Sequence, residues 1–483
     1  MSRINTNVPA LTAIHNLTAN TKSVNRSLER LSSGLRINRG SDDPAGLIAS
    51  ESLRSEIRGI NAAIANSERA INVVSTADAA LAEVSKLLLD IKGLIVQTAN
   101  DGALSQDEIE ANQQQIDALL TSIDRIANST QFNGKKLLNG NLGYHIEGQD
   151  ETNLARLQVF GARVPDSASL PVDVAVTQSA LVAQLNIDVG GTGVDAGGLL
   201  SAGNNITLEV QGLLGTEVYN FASGTSIQSI ASAITNNASL TGVSAVASAG
   251  GLAFISSGFG SRQFVSVDVI SGTFDLHDET GTARERDIGQ DAQVFINGQQ
   301  ASVDGLRASL RSAGLDVVID LTESFGTAIG SDTFSVTGGG ANFQIGPDVN
   351  SNGRISMGIE SISSTHLGTS EDGFLFALGT GRDTQVLNSV NHPRAQEIVD
   401  AAIIQVSRMS GRLGAFQANQ VETNLNSLRV ALENVTASES AIRDTDYSVE
   451  VSNLTRAQIL LQSTTQILGI ANSIPQNVLS LLG

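Results

Sequence analysis

The residue types that usually carry catalysis are scattered along this 483-residue chain. No two histidines form an HExxH zinc-protease pair, and the GxxxxGK-S/T phosphate loop does not occur. Cysteine is absent, which excludes a cysteine nucleophile, a thiolate metal cluster and a disulfide framework. The histidines are His15, His145, His277, His366 and His392. We therefore predict a protein that is not an enzyme and that binds no metal or cofactor.

One segment, DVNSNGRISMGIE, has part of the pattern of a calcium-binding loop. Asp348, Asn350, Asn352 and Gly353 stand at the required spacing. The glutamate that completes such a loop should fall at position 359, where this chain has isoleucine. We therefore predict a turn between two strands.

Charge and hydropathy exclude two classes of partner. Acidic residues outnumber basic ones by 49 to 29, whereas neutralising the phosphates of a nucleic acid requires Lys and Arg. No run approaches the roughly 18 apolar residues of a membrane-spanning helix. The first residues also lack the pattern of a signal peptide. We expect no nucleic-acid partner, no membrane insertion and no cleaved leader.

Seven-residue repeats predict a long helix between Ser50 and Gln97. Two apolar rows run along this stretch, a pattern typical of a seam between helices. At 1.5 Å per residue the helix would be about 70 Å long. The main row contains Leu53, Ile60, Val74, Leu81, Leu88 and Ile95 and is interrupted only at Ser67, and the companion row contains Ile57, Ile64 and Ile71.

Two further long helices are predicted beside it. Ile109, Ile116 and Ile123 follow a short loop, so their helix should run antiparallel to the first. Between Pro393 and Pro475 no residue forbids a helix. The rows there contain Val421, Leu428, Val435 and Ile442, and Ala418, Leu425 and Leu432.

The middle of the chain differs in kind. Residues 166–341 contain 18 acidic residues against five arginines and no lysine. Alternating runs such as NITLEVQG, FVSVDVISG, AQVFING and LDVVIDL predict half-buried strands between turns. The segments TSIQSIASAIT and VDGLRASLRSAG have the pattern of amphipathic helices. We expect two small β or α+β domains on a solvated exterior.

Apolar rows at both chain ends predict an interaction surface. A pair of helices covers one seam and leaves the neighbouring rows in water, and long exposed apolar stripes mark interaction surfaces. We expect these ends to be loosely ordered in the monomer and to fold against other copies of the chain. The rows contain Ile14, Leu17, Val24, Leu28, Leu31 and Leu35 at the start, and Leu454, Leu460, Leu461, Ile467, Leu468, Ile474, Val478, Leu479, Leu481 and Leu482 at the end.

Together these patterns predict an α+β multidomain fold. Both chain ends would form a long antiparallel helical bundle or coiled coil, with a Gly/Ser/Thr-rich β or α+β insert between them in sequence. Residues 1–43 and 440–483 are expected to be the two halves of a terminal helical domain. Residues 44–165, with a small β-hairpin region, and 342–439 would form a helical rod, and 166–341 the insert.

Segments near both ends resemble bacterial flagellin, in the same order. They cover roughly residues 1–165 and 342–483, and two insert segments, YNFASGTSIQSIASAIT and DAQVFINGQQASVDG, are similar to motifs of flagellins and hook-associated proteins. The terminal segments are LERLSSGLRINRGSDDPAGLIASESL, VQTAN, STQFNGKKLL, ANFQIGPDVN, SGRLGAFQANQ and DTDYSVEVSNLTRAQILLQSTTQILGIANSIPQNVLSLLG.

The resemblance implies a secreted, extracellular subunit of the flagellar filament. Such a subunit is exported unfolded through the hollow flagellum and polymerises beneath a cap, its terminal helices lining the inner tube. The implied partners are other copies in a helical homopolymer, the type III export apparatus, a secretion chaperone, and the cap and hook–filament junction proteins. Two alternatives remain open: a hook–filament junction protein, which shares the terminal helices, or a filament subunit whose insert also serves as an adhesin.

The resemblance also implies roles for the connection SGLRINRGSDDPAG. Gly34, Gly40 and Gly46 permit turns, Pro44 can open the long helix, and Asp42 and Asp43 suit the N-terminus of that helix. Arg36 and Arg39 are expected to pair with acids of an adjacent subunit.

The family's contact region for the innate immune receptor usually carries an Arg–Glu pair. This chain has Lys92 and Gly93 before VQTAN, and Gln115 in place of the glutamate. The departure argues against recognition by that receptor.

Overall fold

The structure is a computed structural model that describes residues 6–100, 102–164, 169–248, 250–312, 314–369, 373–387 and 391–480, with the backbone alone for 475–480. The chain divides into two compact units. Unit 1 contains residues 1–69, 344–353 and 420–483, and unit 2 contains residues 70–343 and 354–419. Long helices near both chain ends and a β-rich middle confirm the α+β multidomain fold.

The long helices occur where the seven-residue repeats predict them. Helix α2 has 55 residues and contains the whole predicted first rod helix, and α3 confirms the second. The predicted third helix is divided, because a π-helical segment, Phe416–Glu422, separates α7 from α8. The helices are α1 Val8–Ser33, α2 Pro44–Thr98, α3 Gln106–Ser129, α4 Ile227–Asn236, α5 Ala238–Thr241, α6 Glu323–Gly326, α7 His392–Ala415, α8 Thr423–Arg443 and α9 Tyr447–Ser480.

The helix ends follow local chemistry. Gly34 ends α1 in the left-handed conformation, with φ of 74°. Asp43 accepts a hydrogen bond on Oδ1 from the Gly46 backbone N–H, 2.9 Å away, and so caps the first turn of α2. At α3 the side chains of Ser105 and Glu108 form a reciprocal capping box. The predicted turns at Gly34 and Gly40 and the role of Asp43 at the start of α2 are confirmed. The predicted turn at Gly46 was wrong, because Gly46 lies within α2, and Asp42 accepts from the Arg39 backbone N–H at 3.0 Å.

The seam of α2 is only partly as predicted. The main row is buried from Ile60 to Ile95 and includes Ser67, whose hydroxyl donates to the Ala63 carbonyl oxygen at 2.8 Å. The members of the predicted companion row, Ile57, Ile64 and Ile71, are only half-buried, although Ile64 packs against the buried cluster of α2 and α8. The buried companions are Ala63, Ala70, Ala77, Val84 and Ile91. Alanine side chains are small and allow helices to approach closely. Their positions in the sequence, however, do not predict burial, because alanine also occurs on exposed faces.

In unit 1, α2 packs against α8. Ile60 and Ala63 form a buried cluster with Leu428. The half-buried side chains around this cluster are Ile64, Ala431, Leu432 and Val435. The cluster confirms that the predicted rows of α2 and α8 face each other across a helix seam.

The strands lie in unit 2 or at its limits and pair antiparallel. They are β1 Gln131–Phe132, β2 Lys135–Lys136, β3 Tyr144–Glu147, β4 Leu154–Ala162, β5 Leu170–Gln178, β6 Val182–Asp188, β7 Ile206–Gln211, β8 Thr216–Phe221, β9 Val243–Ser248, β10 Gly251–Phe259, β11 Phe264–Ser271, β12 Arg286–Ile288, β13 Gln293–Ile296, β14 Gln299–Gln300, β15 Ser302–Asp304, β16 Arg307–Arg311, β17 Leu315–Leu321, β18 Gly330–Gly339, β19 Ala341–Gln344, β20 Arg354–Met357, β21 Gly368–Thr369 and β22 Gly373–Phe374.

Most of these strands enclose two hydrophobic cores. The first insert core contains side chains of a five-stranded sheet, in the order β14-β13-β5-β18-β3, and of a four-stranded sheet, β15-β16-β17-β4. Strands β3 and β4 precede residue 166, so this core also includes residues from outside 166–341. The second insert core contains side chains of the sheets β6-β10-β9 and β12-β11-β7-β8 together with α4. The residues of the second core fall between β5 and β13 in the chain, so the second core is an insertion within the first.

Of the two helices predicted in the middle of the chain, one is confirmed and one is wrong. TSIQSIASAIT contains α4, capped by the Ser226 side chain. VDGLRASLRSAG forms β15 and β16 instead. Ala308 and Leu310 are buried at a spacing of two residues, whereas their neighbours point the other way. Alternate burial against the first insert core therefore overrides the weak helical pattern.

The segment with a partial calcium pattern is a turn between β19 and β20, as predicted. Its own groups close it: Asn350 accepts the Gly353 N–H on Oδ1 at 2.7 Å, and the Asp348 carbonyl accepts from Gln344 Nε2 at 2.7 Å. Within the described ranges no group of three or more His, Asp or Glu side chains has the arrangement of a metal site. Among the described helices, none combines the length and apolar character that crossing a bilayer requires.

Candidate interaction surface of the terminal helices

Helices α1 and α9 form an antiparallel pair in unit 1. Three polar contacts define the direction and register. Asn7 Nδ2 donates to the Ala471 carbonyl at 2.8 Å, and Asn20 Nδ2 donates to Thr464 Oγ1 at 2.8 Å. Arg30 Nη1 lies 3.5 Å from Glu450 Oε2, and the Glu450 side chain is almost fully buried. Sequence reasoning missed these polar residues, because it followed apolar rows alone.

One apolar row from each helix lies between them. Leu17, Val24 and Leu31 of α1 are half-buried, as are Leu454, Leu461 and Leu468 of α9. Small residues complete the contact: Ala10, Ala13 and Ser27 on α1, and Ala457, Thr464 and Ala471 on α9 are buried. These five leucines and one valine, all predicted surface residues, thus pack within one chain.

A second set of apolar side chains on the same helices remains in solvent. Five of them, Ile14, Leu28, Leu460, Ile467 and Ile474, are among the predicted surface residues. We call the full set the uncovered apolar set; its members are between 44% and 62% exposed. The set is Val8, Leu11, Ile14, Leu28, Val449, Val451, Ile459, Leu460, Ile467, Ile470 and Ile474.

Helix α9 is apolar around most of its circumference. Leu454, Leu461 and Leu468 face α1, whereas Ile459 and Ile470 lie on the remaining surface and are exposed. A helix that is apolar on all sides is normally buried on all sides. Burying one such side chain completely is worth about 1.5–3 kcal/mol. Within one chain, therefore, α9 leaves much of its apolar surface uncovered.

The connection between α1 and α2 is attached to the start of α9. Leu35 is half-buried and forms a backbone bridge with Asp444. The Arg36 guanidinium donates from Nη2 to the Ile442 carbonyl at 2.6 Å. Arg39 pairs with Glu29 at 2.9 Å. Both arginines thus have partners within the chain, and their pairing with acids of a neighbouring subunit stays a prediction.

A charged cluster ties α8 to α2. Glu51 Oε1 lies 2.8 Å from Arg443 Nη1 and 2.8 Å from Arg54 Nη1. The hydrogen bond from Arg443, aided by Arg54, holds the pKa of Glu51 below its ordinary value. The cluster thus links the last residue of α8 to α2.

Other predicted residues lie elsewhere or outside the described side chains. Lys92 pairs with Asp400, the Nζ–Oδ1 distance being 2.6 Å, and Gly93 and Gln115 are exposed. Their effect on receptor recognition stays a prediction. Val478 and Leu479 belong to α9, but their side chains are outside the described residues, as are Leu481 and Leu482 altogether.

Comparison with known proteins identifies both chain ends. Residues 4–142 match the family model of the bacterial flagellin N-terminal helical region, and residues 396–482 match that of the C-terminal helical region. A flagellin of Salmonella muenchen is 28% identical, with 99% of both chains covered. Flagellin B of Vibrio cholerae, serotype O1, has the same identity and coverage. These relatives favour neither the junction-protein nor the adhesin alternative.

Solved flagellar proteins share a distant likeness with this chain. FliC from Burkholderia pseudomallei is 13% identical, has a TM-score of 0.24, and is matched over 99% of its length and 74% of this chain. The junction protein FlgL from Legionella pneumophila is 14% identical, has a TM-score of 0.25, and is matched over 99% of its length and 79% of this chain.

Proposed function

We propose, from the premise that the chain belongs to the bacterial flagellin family, that it self-assembles through its terminal helices into a hollow helical filament that serves motility. The family is structural, and the chain is a flagellar filament subunit rather than an enzyme. The observation that carries the proposal of self-assembly is the uncovered apolar set of α1 and α9. Copies of the same chain would supply the missing cover.

The form of the polymer follows from the kind of contact. The uncovered apolar set meets a different surface of the next copy, and such head-to-tail contacts generate an open helix when the rotation does not close. The insert carries a large negative charge. Like charges repel, so the insert is favoured on the outside of the filament, where water and salt screen it.

Further partners belong to the same proposal. Cap and hook–filament junction proteins of the flagellum are expected at the two ends of the filament, and solved structures of the cap protein FliD and of the junction protein FlgL are among the distant likenesses of this chain. Before assembly the uncovered apolar set would promote aggregation. A secretion chaperone that covers it, the export apparatus and an extracellular location complete the proposed route.

The test compares two isoleucines of equal exposure. Ile467 of α9 and Ile288 of the insert are both 56% exposed. We expect Ile467→Ser to raise the critical concentration for polymerisation about tenfold, since a lost contact of about 1.4 kcal/mol changes an equilibrium by that factor. Ile288→Ser should leave it unchanged. Light scattering and electron microscopy of seeded monomer measure both.

The thermal unfolding of both monomeric variants should match that of the parent, because each side chain is exposed in the monomer. Filaments of Ile467→Ser that form at the parent concentration would contradict the proposal. So would an equal defect in Ile288→Ser, which would point to a general loss of solubility.

A further inference from the structure

A cavity with both polar and apolar walls lies within unit 2, between the sheet that contains β4 and β16 and the helix α7. Its volume is about 40 Å³, and a water needs roughly 10–15 Å³ of such space. The cavity is therefore too small for a nucleotide or a sugar. It has room for a few waters or one small ion.

Four arginines contribute to the wall of this cavity. Arg156, Arg307, Arg408 and Arg412 all line it. Arg156 donates to two neutral acceptors, the carbonyl oxygens of Gly368 and His366, each at 2.8 Å. These contacts satisfy hydrogen bonds of Arg156, and the carboxylates whose charges act on it are those of Glu360 and Asp320.

Arg412 is the cavity arginine that has a buried nitrogen without a hydrogen-bond acceptor among the described residues. Its guanidinium carbon lies 3.2 Å from the ring centre of Phe160, a cation–π contact that covers one face. Its Nε is buried and finds no acceptor in the described part of the chain. Burial lowers the pKa of Arg412 and that of Arg156, which shows how poorly water reaches them. An anion in the cavity would satisfy both arginines.

Glu360 is the one carboxylate that lines the cavity within the described ranges. Gln158 Nε2 donates to its Oε2 at 2.7 Å. Burial raises the pKa of Glu360 to about 7, against the attraction of Arg156 and Arg412. Near neutral pH, therefore, Glu360 is protonated in much of the population and the arginines then outnumber the negative charges.

We propose that this cavity binds a small inorganic oxyanion of the size of sulfate or phosphate, held by the guanidinium groups of Arg156, Arg307 and Arg412, and that Glu360 takes up a proton when the anion enters. Guanidinium groups recognise oxyanions through paired N–H donors at short range. The proposal is independent of filament assembly, since all these residues belong to unit 2 of a single chain.

The surrounding charges set the sign of the pH dependence. Protonated Glu360 is neutral and tolerates an anion, whereas ionised Glu360 repels it, so affinity falls as pH rises through about 7. Asp320 Oδ1 lies 3.5 Å from Arg307 Nε, so its carboxylate partly offsets the positive charge of Arg307. Burial raises the pKa of Asp320. The charged or titratable groups around Glu360 are Arg156 on β4, Arg307 and Arg311 on β16, Asp316 and Asp320 on β17, Arg408 and Arg412 on α7, and His366.

The experiment titrates sodium sulfate into the full-length monomer by calorimetry, at ionic strength held constant with sodium chloride. Sulfate keeps its charge between pH 6 and 8, so any pH dependence belongs to the protein. We expect affinity about tenfold higher at pH 6 than at pH 8, since that is the change in the protonated fraction of a group with a pKa of about 7. In Glu360→Gln the affinity should be the same at both values.

The arginine variants identify the site. Arg412→Gln should weaken sulfate binding at least tenfold, whereas Arg262→Gln, which alters an exposed arginine of the insert, should not. If Arg412→Gln fails to fold, the sulfate affinities of the parent and of Glu360→Gln at pH 6 and pH 8 still test the proposal. Absence of sulfate binding by the parent, a tenfold pH effect retained in Glu360→Gln, or equal loss in both arginine variants would each overturn the proposal.

Discussion

Large apolar side chains are buried in the insert cores, whereas many of those on the terminal helices are exposed. In the insert cores Phe254 and Val267 are fully buried. On α9, Ile467 and Ile470 are more than half exposed. The insert cores are closed within one chain, whereas the terminal pair leaves apolar side chains in solvent. We therefore propose that the stability of the monomer and its capacity for assembly reside in different parts of the sequence.

The difference has a geometric origin. Two sheets, or a sheet and a helix, enclose a core between their apolar faces. Two helices share only one seam, so a helix with several apolar faces cannot be covered by a single partner. The insert cores are closed within one chain, whereas apolar faces of the terminal helices stay in solvent.

The largest expected effect on stability comes from a substitution in the buried core of the insert. Phe254→Ala leaves a cavity in the second insert core and should lower the free energy of unfolding by about 3–5 kcal/mol. Because that core shares no residue with the terminal pair, polymerisation at low temperature should persist. Hydrogen exchange of the insert amides measures the loss.

Val246→Ala provides the control for that variant, since Val246 is an exposed residue of β9. Its effect should stay within about 0.5 kcal/mol. If Phe254→Ala abolished filament formation while the monomer stayed folded, the two regions would not be independent.

A buried glutamate in unit 2, Glu360, and one on α9, Glu450, provide a second comparison between the two regions. Burial raises the pKa of Glu360 above its ordinary value of 4.5 to about 7, so the folded state binds this proton more tightly than the unfolded state. Its contribution to stability is fully present below pH 4.5 and is lost as pH rises through about 7. Glu360→Gln, which mimics the protonated acid, should therefore stabilise the chain by up to about 3 kcal/mol at pH 8 and change little at pH 4.

Thermal unfolding at both pH values measures this difference, and Glu147→Gln, at an exposed position, is the matched control. Destabilisation by Glu360→Gln at pH 8 would mean that the attraction of the arginines outweighs the cost of burial.

The smallest effect concerns Glu450, which is paired rather than isolated. Glu450→Gln removes the ion pair with Arg30 and a negative charge from the first turn of α9. Both losses act in the same direction, and the α1–α9 pair should lose about 1 kcal/mol. Hydrogen exchange of α9 reports the loss. Glu433→Gln, at an exposed position of α8, should show no such loss. Equal hydrogen exchange of α9 in the two variants would show that Glu450 does not stabilise the α1–α9 pair.

Much of the helical architecture was predictable, and the errors have a common cause. The rows of α2, α3 and α8 follow the seven-residue repeat. The alanine row that contains Ala70 and Ala77 was missed because alanine is compatible with both surface and core. The strands β15 and β16 were read as a helix because short apolar spacings fit both periods. Only packing against the first insert core separates the two.

The sequence by itself determined that both chain ends carry more apolar rows than one helix pair can cover, because the seven-residue repeat follows directly from helix geometry. It also determined the acidity of the insert. The tertiary structure alone decided which rows pair: Leu17 and Leu461 lie in the seam, whereas Ile14 and Ile467 remain in solvent. Only folding also brings Arg156, Glu360 and Arg412 to one cavity, since such contacts depend on where distant segments meet and no local pattern encodes them.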